Sequence, residues 1–503
     1  MPIQKKTKKK TGGATTGPGG SVRVRMYRTG LGDCFLLTLP GATEPFHMLV
    51  DCGVFFQTPH EKQILRDVAA DIRTATGGII DVLVGTHEHY DHLIGFKHAK
   101  DIFAGMTVKE VWLSWIEKPG DPRAAWLRAI EQKLKLGLQL ALQQAMASPT
   151  FSADAGGLKN LLEFGGNPLA ADYSEQLGEV KRWLRDDLTP SVKYLEPHGD
   201  AIDLVPGVRV YPLGPPLKDS FFRQMNDSKS DPETYQTGFA FSAVPAFMSV
   251  GTPANLNQPA PDLKDASELA LPFERRWQIA ARAAPTWRMP LRAEEQASGR
   301  AKSRPFFAER YGFDERDHNA WRRIDNKWLA EAENLALQLD SLTNNSSLAL
   351  AIEVGSARRV ILMAADAQVG NWLSWHDGTW TAKSDSGAAI AVRAEDLLGR
   401  TVLYKVGHHG SHNATLKQKG LELMTSDELV AMIPVNQDFA NNVKGWEMPY
   451  PGLLTELTTR TQGRVIRVDQ GLPAKGDVKS DVRQKFFDAA AETPLYAEYH
   501  VPM

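Results

Sequence analysis

The sequence predicts an α/β protein, and three observations lead to it. Short strands bracket a helical segment near the start of the chain, in the order strand, helix, strand. The apolar strand 79–84 opens directly into a polar cluster dense in histidine. Core-like strands then resume after a long, less regular middle. With 503 residues, 42% of them hydrophobic and 23% charged, the chain is long enough for a large buried core.

Order is expected to begin near Val22, where Val22-Arg23-Val24-Arg25-Met26-Tyr27 alternates as a half-buried strand does. Cys34 to Leu39 and His47 to Val50 read as two more strands, separated by the turn Pro40-Gly41. A helix is predicted from Glu61 to Ala75, and Ile79 to Val84 is a nearly all-apolar strand that delivers the chain to Gly85-Thr86-His87. Asp121-Pro122 starts a helix, and 133–142 reads as helix over strand because it lacks β-branched residues. Further helices are expected over 174–188 and 328–339. Further strands are expected at 192–195, 208–211, 347–353, 359–363, 402–405, 430–433 and 464–468.

This pattern divides the chain into a disordered basic tail (1–20), one α/β domain (21–480) with a mainly helical and loop insertion at about 96–340, and a C-terminal extension (481–503). The net charge of −2 excludes a global basic field for nucleic acid. Two cysteines, Cys34 and Cys52, lie in apolar stretches and read as buried thiols of a reducing compartment. No apolar run reaches the ~18–20 residues of a membrane span, and the tail has no secretory segment, so a cytoplasmic protein is expected.

The chemistry is concentrated in Thr86-His87-Glu88-His89-Tyr90-Asp91-His92, which packs four metal-ligating side chains into six residues at the end of a strand. One loop cannot complete two cation sites, so remote ligands are expected. Asp366 follows the strand 359–363, and His408 follows the strand 402–405 in Val406-Gly407-His408-His409-Gly410-Ser411. Imidazole suits zinc first, with manganese as the alternative, and two cations about 3.5–4 Å apart can clamp a hydroxide between them.

Together these segments resemble the metallo-β-lactamase superfamily. Thr29-Gly30-Leu31-Gly32-Asp33-Cys34, Leu49-Val50-Asp51-Cys52-Gly53, Asn344-Asn345-Ser346-Ser347-Leu348 and Val406 to Ser411 are similar to its ComEC-type branch, the hydrolase domain of DNA-uptake competence proteins and its soluble relatives. The resemblance covers roughly 22–95, 190–216 and 340–470. It implies an αββα sandwich with His87 and His89 on a first metal, Asp91, His92 and His408 on a second, and Asp366 bridging. It also implies that His409 stands behind the site or donates a proton, although the adjacent pair leaves open which histidine coordinates. Asp91 is the expected catalytic carboxylate, while Asn345 and Ser411 are the expected substrate contacts.

Two positions depart from the family pattern. Where many members supply a third histidine to the first metal, this chain has Thr343-Asn344-Asn345-Ser346-Ser347, which predicts an asymmetric, manganese-tolerant first site. The family's Gly-Asp is Ala365-Asp366, and its late Tyr/His-Pro segment is Met448-Pro449-Tyr450-Pro451.

The expected function is therefore hydrolysis by a metal-bound hydroxide, on a phosphodiester by analogy with the branch. A lactone, thioester or β-lactam is the alternative substrate class. A metal-stabilised protein whose insertion binds a partner is the alternative without turnover. His198 reads as a loop residue. The arginine–aromatic stretch 275–323 is interleaved with acids and reads as a solvated face before a nucleic-acid patch.

Overall fold

A computed structural model describes residues 20–147, 171–222, 224, 233–234, 327–384 and 386–503. The expected disordered tail lies outside these residues except for Gly20, as does the arginine–aromatic stretch 275–323.

The protein is mixed α/β. Its first strands are β1 (Ser21–Tyr27), β2 (Phe35–Leu39), β3 (Phe46–Val50), β4 (Ile79–Gly85), β5 (Thr107–Ser114) and β6 (Val192–Leu195). Then come β7 (Gly199–Asp200), β8 (Ile202–Val205), β9 (Val208–Pro212), β10 (Leu350–Val354), β11 (Arg359–Met363), β12 (Trp380–Lys383) and β13 (Ala389–Val392). The last are β14 (Thr401–Lys405), β15 (Val430–Ile433), β16 (Val465–Arg467), β17 (Ala490–Glu492) and β18 (Tyr496–Pro502). One sheet has eight strands in the order β17-β18-β1-β2-β3-β4-β5-β6, and another has seven in the order β16-β15-β14-β11-β10-β9-β8; β13, β12 and β7 form a third, small sheet.

The period-two alternation of the strands decides where they pack. Val22, Val24, Met26, Phe35, Leu37, Met48, Val50, Val82 and Val84 of the larger sheet share one apolar cluster with Val210, Leu350, Ile352, Ile361, Met363, Leu403 and Met432 of the second. The opposite face of the larger sheet packs Leu36, Leu49 and Leu83 against Leu65, Val68, Ala69 and Ile72 of the helix Glu61–Ala75. The opposite face of the second packs Leu362, Tyr404 and Ala431 with Trp372, Trp375, Leu397, Leu453 and Leu457 from helices.

Two boundaries differ from expectation. Residues 481–503 are not an appendage, because β18 pairs antiparallel along the whole of β1, from Ser21↔Pro502 to Tyr27↔Tyr496. Arg25 ties this pairing together: its guanidinium bonds Asp71 at 2.6 Å and Glu498 at 3.0 Å and lies over the Tyr496 ring at 3.6 Å. The segment assigned to the insertion also contributes to the sheets, since β5 pairs with β4 and β6, and β9 pairs with β10. β6 and β9 match the strands expected at 192–195 and 208–211, and β5 alone of these is not among the expected strands; a strand recruited into a sheet by distant partners leaves little local trace in the sequence.

The 133–142 region is helical within Pro122–Ala147, whose start is capped by Asp121 Oδ1 accepting from the backbone of Arg123 at 2.8 Å and Ala124 at 3.3 Å. The helix predicted at 328–339 runs on to Asn345. Among the described residues no helix is long and apolar enough to cross a membrane.

Candidate metal centre

β3 and β4 are parallel neighbours in one sheet, and β11 and β14 are parallel neighbours in the other. Their carboxyl ends deliver Asp51, Thr86-His87, Asp366 and His408-His409 respectively, and Leu348 N–H donates to Thr86 O at 2.9 Å, joining the loops of the two sheets. Three groups of buried donors result among the described residues: Asp91, His92, Asp366 and His409 form the first and His87, His89 and Asp366 the second, these two sharing Asp366, while Asp33, Asp51 and His92 form a third behind them.

Within the first group His409 Nε2 lies 2.9 Å from Asp91 Oδ2, and His92 Nε2 lies 3.1 Å from Asp366 Oδ2. In the second, His87 Nε2 and His89 Nδ1 are 3.0 Å apart. Two observations fit a cation here. His92 Nε2 and Asp366 Oδ2 are buried with no hydrogen-bond partner, and the rings of His92 and His409 are fixed through their other nitrogens. His92 Nδ1 donates to Asp51 at 2.7 Å and His409 Nδ1 donates to Pro434 O at 2.7 Å, which turns both Nε2 atoms towards the acids of the cluster. Asp51 is itself held by the Thr86 hydroxyl at 2.7 Å and the Thr86 N–H at 2.9 Å.

The electrostatics divide the imidazoles: burial opposes protonation of His92 and His409, yet Asp366, Asp33 and Asp91 hold His92 well above the usual histidine range, and Asp91 and Asp366 raise His409. Burial, reinforced by the His92 and His89 rings, holds His87 well below the usual histidine range, and burial brings His89 down to about 4. Burial opposes ionisation of Asp366, yet His92 and Lys405 keep its carboxyl well below the ordinary value.

The expected order of the histidine pair is reversed. His409 enters the cluster, whereas His408 lies outside it, with Nδ1 at 2.9 Å from Ser411 Oγ and 3.2 Å from Gln368 Nε2. The reason is backbone geometry: His408 and His409 adopt φ of 45° and 55°, so two successive left-handed residues turn the rings to opposite surroundings. Left-handed backbone costs an L-residue roughly 1–2 kcal/mol, and such strain persists where the surrounding structure enforces it. Ala365, where the resembled family has glycine, has a φ of 49°, a conformation glycine takes freely.

The two expected substrate contacts are used inside the protein. Asn345 is fully buried, its Oδ1 accepting from Asn371 N at 2.9 Å and its Nδ2 donating to Gln224 O at 3.4 Å. Ser411 Oγ donates to Asn413 Oδ1 at 2.9 Å beside His408. Asn344, at the place of the missing histidine, donates to Asp340 at 2.9 Å, and its own Oδ1 has no hydrogen-bond partner. His198 packs at a tilt against Trp380, ring centroids 4.9 Å apart.

Several residues of the centre were not singled out from the sequence. Asp51 and Asp33 stood in the quoted motifs without a role, and Lys405 was read only as the end of a strand. Asp340, which burial raises to about 8, lies on a helix with no motif. The usable signal for Lys405 was a charge closing the otherwise apolar run Val402-Leu403-Tyr404.

No family model matches the chain, and no curated protein matches it.

Proposed function

We propose that this is a metal-dependent hydrolase of the metallo-β-lactamase class, its two main sheets and their outer helices forming the αββα sandwich of that fold. Two divalent cations, zinc or manganese, would be held by His87 and His89 on one side and by Asp91, His92 and His409 on the other, with Asp366 between. The observation that carries this reading is the convergence of the first two donor groups on Asp366, with the Nε2 of His92 and the Oδ2 of Asp366 left bare and 3.1 Å apart.

Bound divalent cations supply Lewis acidity, lowering the pKa of water towards neutrality and stabilising a developing oxyanion. The chain's own part is to place Asp91 where it can orient a nucleophile or accept its proton. Asp51 and the Pro434 carbonyl fix the tautomers of His92 and His409. The preference for a phosphodiester substrate rests on the resemblance to the ComEC-type branch.

Purified protein should contain about two metal ions per chain and turn over bis-aryl phosphates, and Asp91→Ala should lower that rate by about 10²–10⁴-fold. Single-stranded DNA, RNA and cyclic dinucleotides, each with and without manganese, separate nuclease from nucleotide phosphodiesterase. Cleavage of none, with turnover of a lactone, thioester or β-lactam, would move the substrate class to carboxylic derivatives. Bound metal with no turnover on any panel would leave a metal-stabilised scaffold.

A further inference from the structure

Lys405 closes β14 with its side chain 1% exposed, although Val402, Leu403 and Tyr404 before it are apolar and packed. An ammonium is costly to bury, so a strand that needed only packing would carry an aliphatic residue here. Its three donor directions are all used. Nζ donates to the Ala365 carbonyl at 2.7 Å, reaches Asp366 Oδ1 at 3.3 Å and pairs closely with Asp33 Oδ2.

These contacts divide the two oxygens of Asp366. Oδ1 is taken by Lys405 and by the His408 N–H at 3.2 Å. Oδ2 is left without a hydrogen bond, 3.1 Å from His92 Nε2 and 3.9 Å from His409 Nε2. Asp33 carries the link further: its N–H donates to Asp91 O at 2.9 Å and its carbonyl accepts from Gly53 N at 2.9 Å. One ammonium thus joins the Asp366 turn to the backbone of the loop that holds Asp91 and His92.

We propose that Lys405 is a positioning residue, a resident cation that turns one oxygen of Asp366 towards the ligand cluster so that the centre is formed before any divalent ion arrives. The proposal rests on reading that cluster as a metal centre. A positive charge near a dication also repels it, so the two effects of removing Lys405 have opposite signs. Because Lys405 meets Asp366 at Oδ1 and not at the bare Oδ2, loss of positioning should outweigh relief of repulsion.

Cobalt(II) titrated into the full-length metal-free chain, with visible absorption and a competing chelator, tests this. Wild type should take up cobalt, and Lys405→Met should bind at least about 10-fold more weakly, the scale of losing a residue that orients a ligand, with an altered absorption spectrum. Gly77→Ala, remote from the centre and with nothing within 4 Å of the added Cβ, should bind as wild type does. Unchanged or tighter binding by Lys405→Met overturns the proposal, as does an equal loss in both variants. If Lys405→Met does not fold, the wild type still decides: the metal-free chain should melt cooperatively, and an unfolded metal-free chain overturns preformation. A folded wild type that takes up no cobalt removes the metal-centre reading and this proposal with it. Binding by wild type with Lys405→Met unaffected removes only the proposal.

Discussion

His409→Ala should, for the proposed two-metal hydrolase, lower phosphodiester turnover by at least about 10²-fold and release one metal, while His408→Ala should cost about 10-fold and keep both. The two histidines are sequence neighbours of equal chemistry, so only geometry separates them. His409 directs Nε2 at Asp91 Oδ2, 2.9 Å away, and is anchored behind by the Pro434 carbonyl. His408 is 4% exposed and sits among Asn344, Gln368 and Ser411, where burial brings its imidazole down to about 3. Its backbone N–H supports Asp366 Oδ1, a contact that alanine retains. Metal content and kcat/KM of the two variants check the assignment. The reverse ranking would assign the metal to His408 in place of His409.

That pair shows where the sequence stops being legible. The run His87 to His92 declares itself because its ligands are local and dense and an apolar strand ends just before it. Asp366 is readable as an acid directly after a strand. Which neighbour of a His-His pair faces inward depends on φ values of 45° and 55°, and no residue-type pattern encodes those. The supporting shell is hidden for another reason: Asp33, Asp51 and Lys405 acquire their roles from partners far along the chain, such as Lys405 with Asp33 and Asp51 with His92. The same holds for the fold. The helix Glu61–Ala75 carries its own periodicity and was found at its observed bounds, while β5 and β18 exist as strands only because β4 and β1 pair with them.

Gly53→Ala should damage the centre without touching a candidate ligand side chain, lowering turnover by about 10²-fold and stability by about 1–3 kcal/mol. Gly53 leaves β3 one residue after Cys52, whose N–H and carbonyl are bonded to His92 O and Gly95 N, each at 2.8 Å. A methyl group on Gly53 would sit 2.1 Å from the Asp91 carbonyl and 2.3 Å from His92 N, so it would displace the peptide that carries two candidate metal ligands. Neither side can yield cheaply, because these atoms are backbone on both sides and not the tip of a flexible side chain. Gly77→Ala is the matched control: Gly77 has a φ of 61° and nothing within 4 Å of an added Cβ. It should lose about 1 kcal/mol of stability from backbone strain and none of the metal affinity. Thermal melts with cobalt titration separate the two mechanisms. If Gly53→Ala behaves like Gly77→Ala, the loop bearing Asp91 and His92 is not held by the close approach of Gly53, and its position must be set by the Asp33 and Lys405 contacts alone.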